Sequence, residues 1–356
     1  MLRFGDAPTV SAVGCALPPH HLGQEELIAA LRGLWAKRHF NVDRLEDLHR
    51  AVKVSGRYLA LPLERYAELD TFAKCNDAWI AAAEELGRAA LSEGLSKAGM
   101  APGDVDHIFF VTVTGIATPS LDARLVNRLR MKPSVKRTPI FGLGCVAGAA
   151  GAARAADYLR AYPGEVAVVL SVELCSLTLQ REDLSVANIV ASGLFGDGAA
   201  ALVLSGGARA ARGPRILATR SVFYPDSERI MGWDLVDSGF KVVLSSKVPD
   251  MVRAHLARDV DAFLGDEGLS RKDIQHFIAH TGGPKVLEAF EGTLELPAGA
   301  LASSWRSLRE VGNLSSASVL FVLSDFLEEG RARPGELGLL VAMGPGFCAE
   351  LVLLAW

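Results

Sequence analysis

The feature that most constrains this chain is that it repeats itself. Gly99, Asp104, His107 and Thr112 recur at the same offsets as Gly268, Asp273, His276 and Thr281. Gly144-Cys145 follows the first copy at nearly the distance at which Gly312-Asn313 follows the second. Gly196-Asp197-Gly198 and Gly344-Pro345-Gly346 each open a terminal apolar stretch. Two βα units fused head to tail give this pattern. Duplicated units keep packing positions alike and diverge where a site is built. The divergent positions here are reactive: Cys145 in the first half, His280 and Asn313 in the second.

The chain has 356 residues, half of them apolar, enough for a large core and two structural units. A formal charge of −4 and no long Lys/Arg run exclude a nucleic-acid surface. Met1 to Pro18 holds Arg3 and Asp6 and no sustained apolar run, unlike a secretory leader. No segment reaches the ~20 apolar residues of a membrane helix, since Glu173 and Asp197 interrupt the longest candidates. The five cysteines are widely spaced without a C-x-x-C, which predicts reduced thiols in the cytoplasm and neither a disulfide framework nor a metal site.

Periodicity predicts helices at 24–40, 77–98 (ended by Gly99), 146–162, 249–265 and 314–328. Uniformly apolar strands are expected at 107–114, 139–143, 166–172, 199–204, 274–280, 337–343 and 348–355. Strands without polar alternation are covered on both faces. The expected fold is therefore a five-layered αβαβα sandwich. The polar stretch 206–213 marks the junction between halves 1–208 and 209–356.

Cys145 falls where a strand gives way to an Ala-rich helix. A helix N-terminus favours thiolate over thiol, and Gly142, Gly144 and Gly148 allow a tight turn. Gly148 comes one position too late for a G-x-G-x-x-G dinucleotide loop. A free cysteine is more often structural, but one at such a turn is a nucleophile candidate. His280 ends an apolar strand before Thr281-Gly282-Gly283-Pro284, whereas His276, which matches His107, reads as scaffold. Asn313 alone would be a helix N-cap. Its equivalence to Cys145 in the duplicated halves is what promotes it.

At these residues the chain resembles the thiolase-fold type III polyketide synthases, the chalcone synthase-like enzymes. The matching stretches are Gly144-Cys-Val-Ala-Gly148, Leu194-Phe-Gly-Asp-Gly-Ala-Ala200, His280-Thr-Gly-Gly-Pro284, Gly312-Asn-Leu-Ser-Ser316 and Gly344-Pro-Gly-Phe347. The resemblance implies a Cys145–His280–Asn313 triad, a gatekeeping Phe195 partnered by Phe240, and a homodimer, which the small-residue helix after Cys145 would suit. Thr114, Cys175, Ser238, Ser315, Gly282, Gly283, Gly344 and Gly346 would complete the substrate site, with Arg50 and Lys53 binding coenzyme A. Where plant members place a partner-subunit Met this chain has Thr118, and the segment from Met231 to Phe240 is similar to bacterial alkylpyrone and alkylresorcinol synthases.

The implied reaction condenses an acyl-CoA starter with malonyl-CoA by decarboxylation, with no metal or cofactor. Small residues at Thr114, Cys175 and Ser238 lead us to expect a medium-to-long fatty acyl starter and an alkylpyrone or alkylresorcinol product. The alternative is a ketoacyl-carrier-protein synthase that initiates fatty-acid synthesis. That family has Gln-Ala-Asn after the histidine, unlike the sequence here. A catalytically dead duplicate would not need all three triad residues.

Overall fold

The computed structural model describes residues 7–35 and 42–356. The first half runs β1 (Thr9–Ala16), β2 (His20–Gly23), α1 (Gln24–Trp35), α2 (Val42–Ala51), β3 (Gly56–Leu59), α3 (Phe72–Ala98), β4 (His107–Thr112), α4 (Leu121–Arg128), β5 (Lys136–Phe141), α5 (Ala147–Ala161), β6 (Val166–Leu174), α6 (Val186–Leu194) and β7 (Asp197–Ser205). The second runs β8 (Arg215–Phe223), β9 (Met231–Val236), β10 (Gly239–Leu244), α7 (Val248–Asp266), β11 (His276–Ala279), α8 (Pro284–Thr293), α9 (Ala302–Val311), α10 (Ser318–Glu329), β12 (Leu337–Gly344) and β13 (Cys348–Ala355). The expected helix 24–40 ends at Trp35 as described, and 36–40 lies outside the described residues.

The repeat is visible in the topology. The sheet order β5-β4-β6-β7-β1 continues through β8-β13-β12-β11, so β4, β6, β7 and β1 correspond to β11, β12, β13 and β8. Both Gly99 (φ 67°) and Gly268 (φ 73°) take the left-handed conformation just beyond a long helix. Asp104 then accepts from the Ala101 amide and Asp273 from the Ser270 amide, closing the same short turn before β4 and β11. His107 bonds Thr138 and stacks on Phe109, and His276 bonds Glu336 beside Phe326, which is scaffold chemistry for both. β5 has no counterpart in the second half, where α8 and α9 stand between β11 and α10 instead.

Five layers follow from where the apolar faces go. α3 buries Trp79, Ala83, Ala90 and Leu91 against one face of the first half's strands. α7 and α8 bury Val252, Leu256, Leu287 and Phe290 against the outer face of the second half's strands. Between the sheets lie α5, with Ala149, Ala150, Ala155 and Ala156 at 0% exposure, and α10, with Val319, Leu320 and Val322 likewise. Each such leucine contributes about 2 kcal/mol by leaving water. One expectation is corrected here. The small residues after Cys145 pack against α10 and the sheets within this chain, so they are not a surface reserved for a second subunit. The two sheets also meet edge to edge, through the pair Thr9–Arg215.

Candidate active site

The two central helices begin at the same place. Cys145 lies in a short turn, Gly144–Val146, between β5 and α5, and a Cβ on Gly148 would fall 2.3 Å from the Ser316 carbonyl, just before α10. Cys145 Sγ is 3.8 Å from Ser315 Oγ. Ser315 itself takes φ +50°, held by its amide donating to Asn313 Oδ1 at 2.8 Å. Asn313 Oδ1 also accepts from Ser318 Oγ at 3.3 Å. The capping role foreseen for Asn313 is thus carried by its oxygen, and that fixes the amide with Nδ2, which has no partner, as a free donor. His280 sits where β11 ends, its amide donating to the Val341 carbonyl at 2.9 Å. Its ring is buried, and neither ring nitrogen has a partner.

Burial governs the charges. It pushes the Cys145 thiol up to about 12, against smaller lowering contributions from Ser315 and Asn313 and a raising one from Glu173. Burial alone pushes His280 down to about 3. The helix N-terminus was expected to favour the thiolate. Burial acts in the opposite direction, against charge on both groups.

The space over Cys145 is small, ≈ 20 Å³, lined by Gly144, Phe195, Met231, Trp233, Leu244 and Pro345 among others. Gly344 and Gly346 serve this wall: a Cβ on Gly344 would come within 2.7 Å of the Val146 amide, and Gly346 has φ +146°. Gly282 and Gly283 turn the chain after His280, Gly283 at φ +132° lying against Leu194. Phe195 and Trp233 separate this space from an apolar cavity of ≈ 400 Å³ walled by Leu27, Leu31 and Leu34 of α1, with Leu63, Tyr66 and Cys175.

Three groups expected together are placed apart. Cys175 faces the large cavity, whereas Thr114 and Ser238 line a separate crevice of ≈ 10 Å³ with Phe72 and Phe240. There Thr114 donates to Glu173 at 2.9 Å and Ser238 to Gln180 at 2.5 Å. Phe240 does not pair with Phe195. Trp233 stands between them, its ring 6.4 Å from each, because β9 and β10 form a hairpin that brings it inward. Arg50 is held by Glu25 and Glu46, and Lys53 by Glu288, so their charges are already matched on the surface. Thr118 is exposed. Sequence reasoning missed Trp233, and it missed Glu173, whose buried carboxylate accepts from Ser316, Val113 and Thr114 and is pushed up to about 7 by burial. Its signal was present as a lone acid inside an apolar strand.

Among the described residues no helix is long and apolar enough to cross a membrane. Residues 3–208 match the N-terminal domain of chalcone and stilbene synthases and 215–355 the C-terminal domain. The chain is 52% identical to the 1,3,6,8-tetrahydroxynaphthalene synthase of Streptomyces peucetius subsp. caesius over 98% of this chain and 93% of that one. The solved structure of the 1,3,6,8-tetrahydroxynaphthalene synthase of Streptomyces coelicolor, a bacterial type III polyketide synthase, superposes with a TM-score of 0.93 at 32% identity, covering 98% and 99% of the two chains. A polyketide synthase of the brown alga Ectocarpus siliculosus does so with a TM-score of 0.93 at 25% identity, covering 99% of each. With both family domains matched end to end on a thiolase-like fold, this chain belongs to the chalcone and stilbene synthases, the type III polyketide synthases, which are decarboxylating condensing acyltransferases.

Proposed function

We propose that this enzyme builds its product from malonyl-CoA alone, as starter and extender, and closes it to 1,3,6,8-tetrahydroxynaphthalene. The 52% identity to a synthase of that name across nearly both chains supports the product. For the chemistry, one observation carries the reading: the Cys145 thiol lies buried beside Ser315 in the loop that Asn313 opens, and both the buried His280 imidazole and the Asn313 Nδ2 are without partners. The neutral His280 takes the Cys145 proton as sulfur attacks the thioester carbonyl, and returns it to the departing coenzyme A thiol. His280 and Asn313 Nδ2 then donate to the thioester oxygen of the next malonyl-CoA. Loss of CO₂ leaves an enolate on that oxygen, each donor being worth roughly 3 kcal/mol as in oxyanion holes. The enolate carbon attacks the acyl–Cys145 carbonyl, the thiolate leaves, and the chain grows by two carbons. Phe195 offers an apolar wall that disfavours the malonyl carboxylate relative to CO₂. Five such units supply the ten carbons of naphthalene. The enzyme acts as a homodimer.

A second reading retains a fatty acyl starter and a pyrone or resorcinol product. The ≈ 400 Å³ leucine-lined cavity behind Phe195 favours it. Incubation with malonyl-CoA alone, and with added lauroyl-CoA, followed by mass spectrometry, decides between them. Naphthalene product from malonyl-CoA alone is expected. Alkylpyrones with lauroyl-CoA and no product without it would overturn the first reading.

A further inference from the structure

Arg57 of β3 is a guanidinium at 1% exposure that the condensation chemistry does not use. Its NH1 donates to the Phe195 carbonyl at 2.9 Å, and its NH2 to Gln24 Oε1 at 3.1 Å. Gln24 opens α1 and spends its own Nε2 on the carbonyls of His49 and Gly193, at 2.8 and 3.1 Å. Buried Asp197, which accepts from the Ala60 and Ser176 amides, supplies the nearby negative charge. The residues on either side of Phe195 are bridged to the candidate catalytic loop: the Asn313 amide donates to the Leu194 carbonyl and the Gly196 amide to the Asn313 carbonyl, both at 2.9 Å. One three-residue stretch thus carries the Phe195 ring, is stitched to Asn313, and has its middle carbonyl gripped by a buried cation. A buried charge is expensive unless its hydrogen bonds do something nothing smaller can. Here a planar fork reaches two acceptors on two different elements in a preset geometry that a freely rotating ammonium lacks.

We infer that Arg57 is a positioning residue for the condensation, holding the Leu194–Gly196 stretch so that the Phe195 ring and the Asn313 amide face Cys145 together. This rests on the reading of Asn313 as an oxyanion donor, and not on which product the enzyme makes. The test is Arg57→Met, Arg57→Lys and Gln24→Met, with Asn313→Ala as control. The measurements are kcat and KM for malonyl-CoA, CO₂ released per condensed unit, and the rate of Cys145 alkylation by iodoacetamide. Arg57→Met should lower kcat about tenfold or more, the scale of a lost charge-assisted hydrogen bond. KM should change by less than about threefold, CO₂ per condensed unit should rise, and alkylation should hold. Arg57→Lys should fall between wild type and Arg57→Met, and Gln24→Met should show a smaller loss in the same direction. A folded Arg57→Met with wild-type kcat and CO₂ yield overturns the inference. So does a kcat loss matched by a collapse in alkylation, which marks general disruption. If Arg57→Met does not fold, wild-type kcat in both Arg57→Lys and Gln24→Met overturns it. Full activity in Asn313→Ala sinks the reading of the site itself, whereas an inactive Asn313→Ala beside a normal Arg57→Met sinks only the role of Arg57.

Discussion

Burial opposes charge on both Cys145 and His280, and the proposed reaction asks the Cys145 sulfur to carry the growing chain. Cys145→Ala should fold normally and lose condensation entirely, because alanine suits the turn but accepts no acyl group. Product above the no-enzyme level from that variant would remove Cys145 from the mechanism. Glu173 is buried beside the same loop. Its carboxyl titrates at 4.5 in the unfolded chain and about 7 in the folded one. Between those values the native state keeps a proton that the unfolded chain has released. Glu173 therefore adds stability below about pH 4.5 that is lost as pH rises through 7, roughly 3 kcal/mol in all. Urea unfolding of wild type and Glu173→Gln should show the wild-type advantage shrinking by that amount from pH 4.5 to 7.5. A difference that does not change with pH would mean Glu173 is not buried as described.

The contact of α5 with α10 is where elements become a site. A methyl on Gly148 would meet the Ser316 carbonyl at 2.3 Å, and backbone cannot swing aside as a side chain can. Gly148→Ala should cost ~1–3 kcal/mol, the usual penalty of overpacking, read as a lowered Tm. Because Ser316 follows Asn313 by three residues, turnover should fall too; unchanged turnover would show that the loop moves independently of the helix. This contact also explains what the sequence made legible. Residues bound to the repeat were readable: the glycines after α3 and α7, the aspartates of the turns, the strand after each histidine, and the two loops brought together by duplication. What was unreadable lies where the halves do not copy each other. The β9–β10 hairpin, which swings Trp233 in front of Phe195 and leaves Phe240 behind it, has no counterpart to compare with. α8 and α9 replace a strand. The effect of burial on Cys145 was unreadable for another reason: a sequence shows the helix end but not how deeply it is buried.

At the scale of the molecule, β5 closes one end of the sheet, pairing among the described residues with β4 and showing Phe141 at 55% exposure. A strand edge with exposed apolar side chains is where a second copy would dock. Light scattering at micromolar concentration should give a dimer of the 37.9 kDa chain, and Phe141→Glu should shift it toward monomer. A wild-type monomer would refute the dimer. The pairing of α5 and α10 carries one more consequence. Each is the other's cover, so neither half has a complete core of its own. Expressed separately, segments 1–208 and 209–356 should be insoluble. Expressed together, they should find each other and regain condensation, an enzyme reassembled from its two pieces.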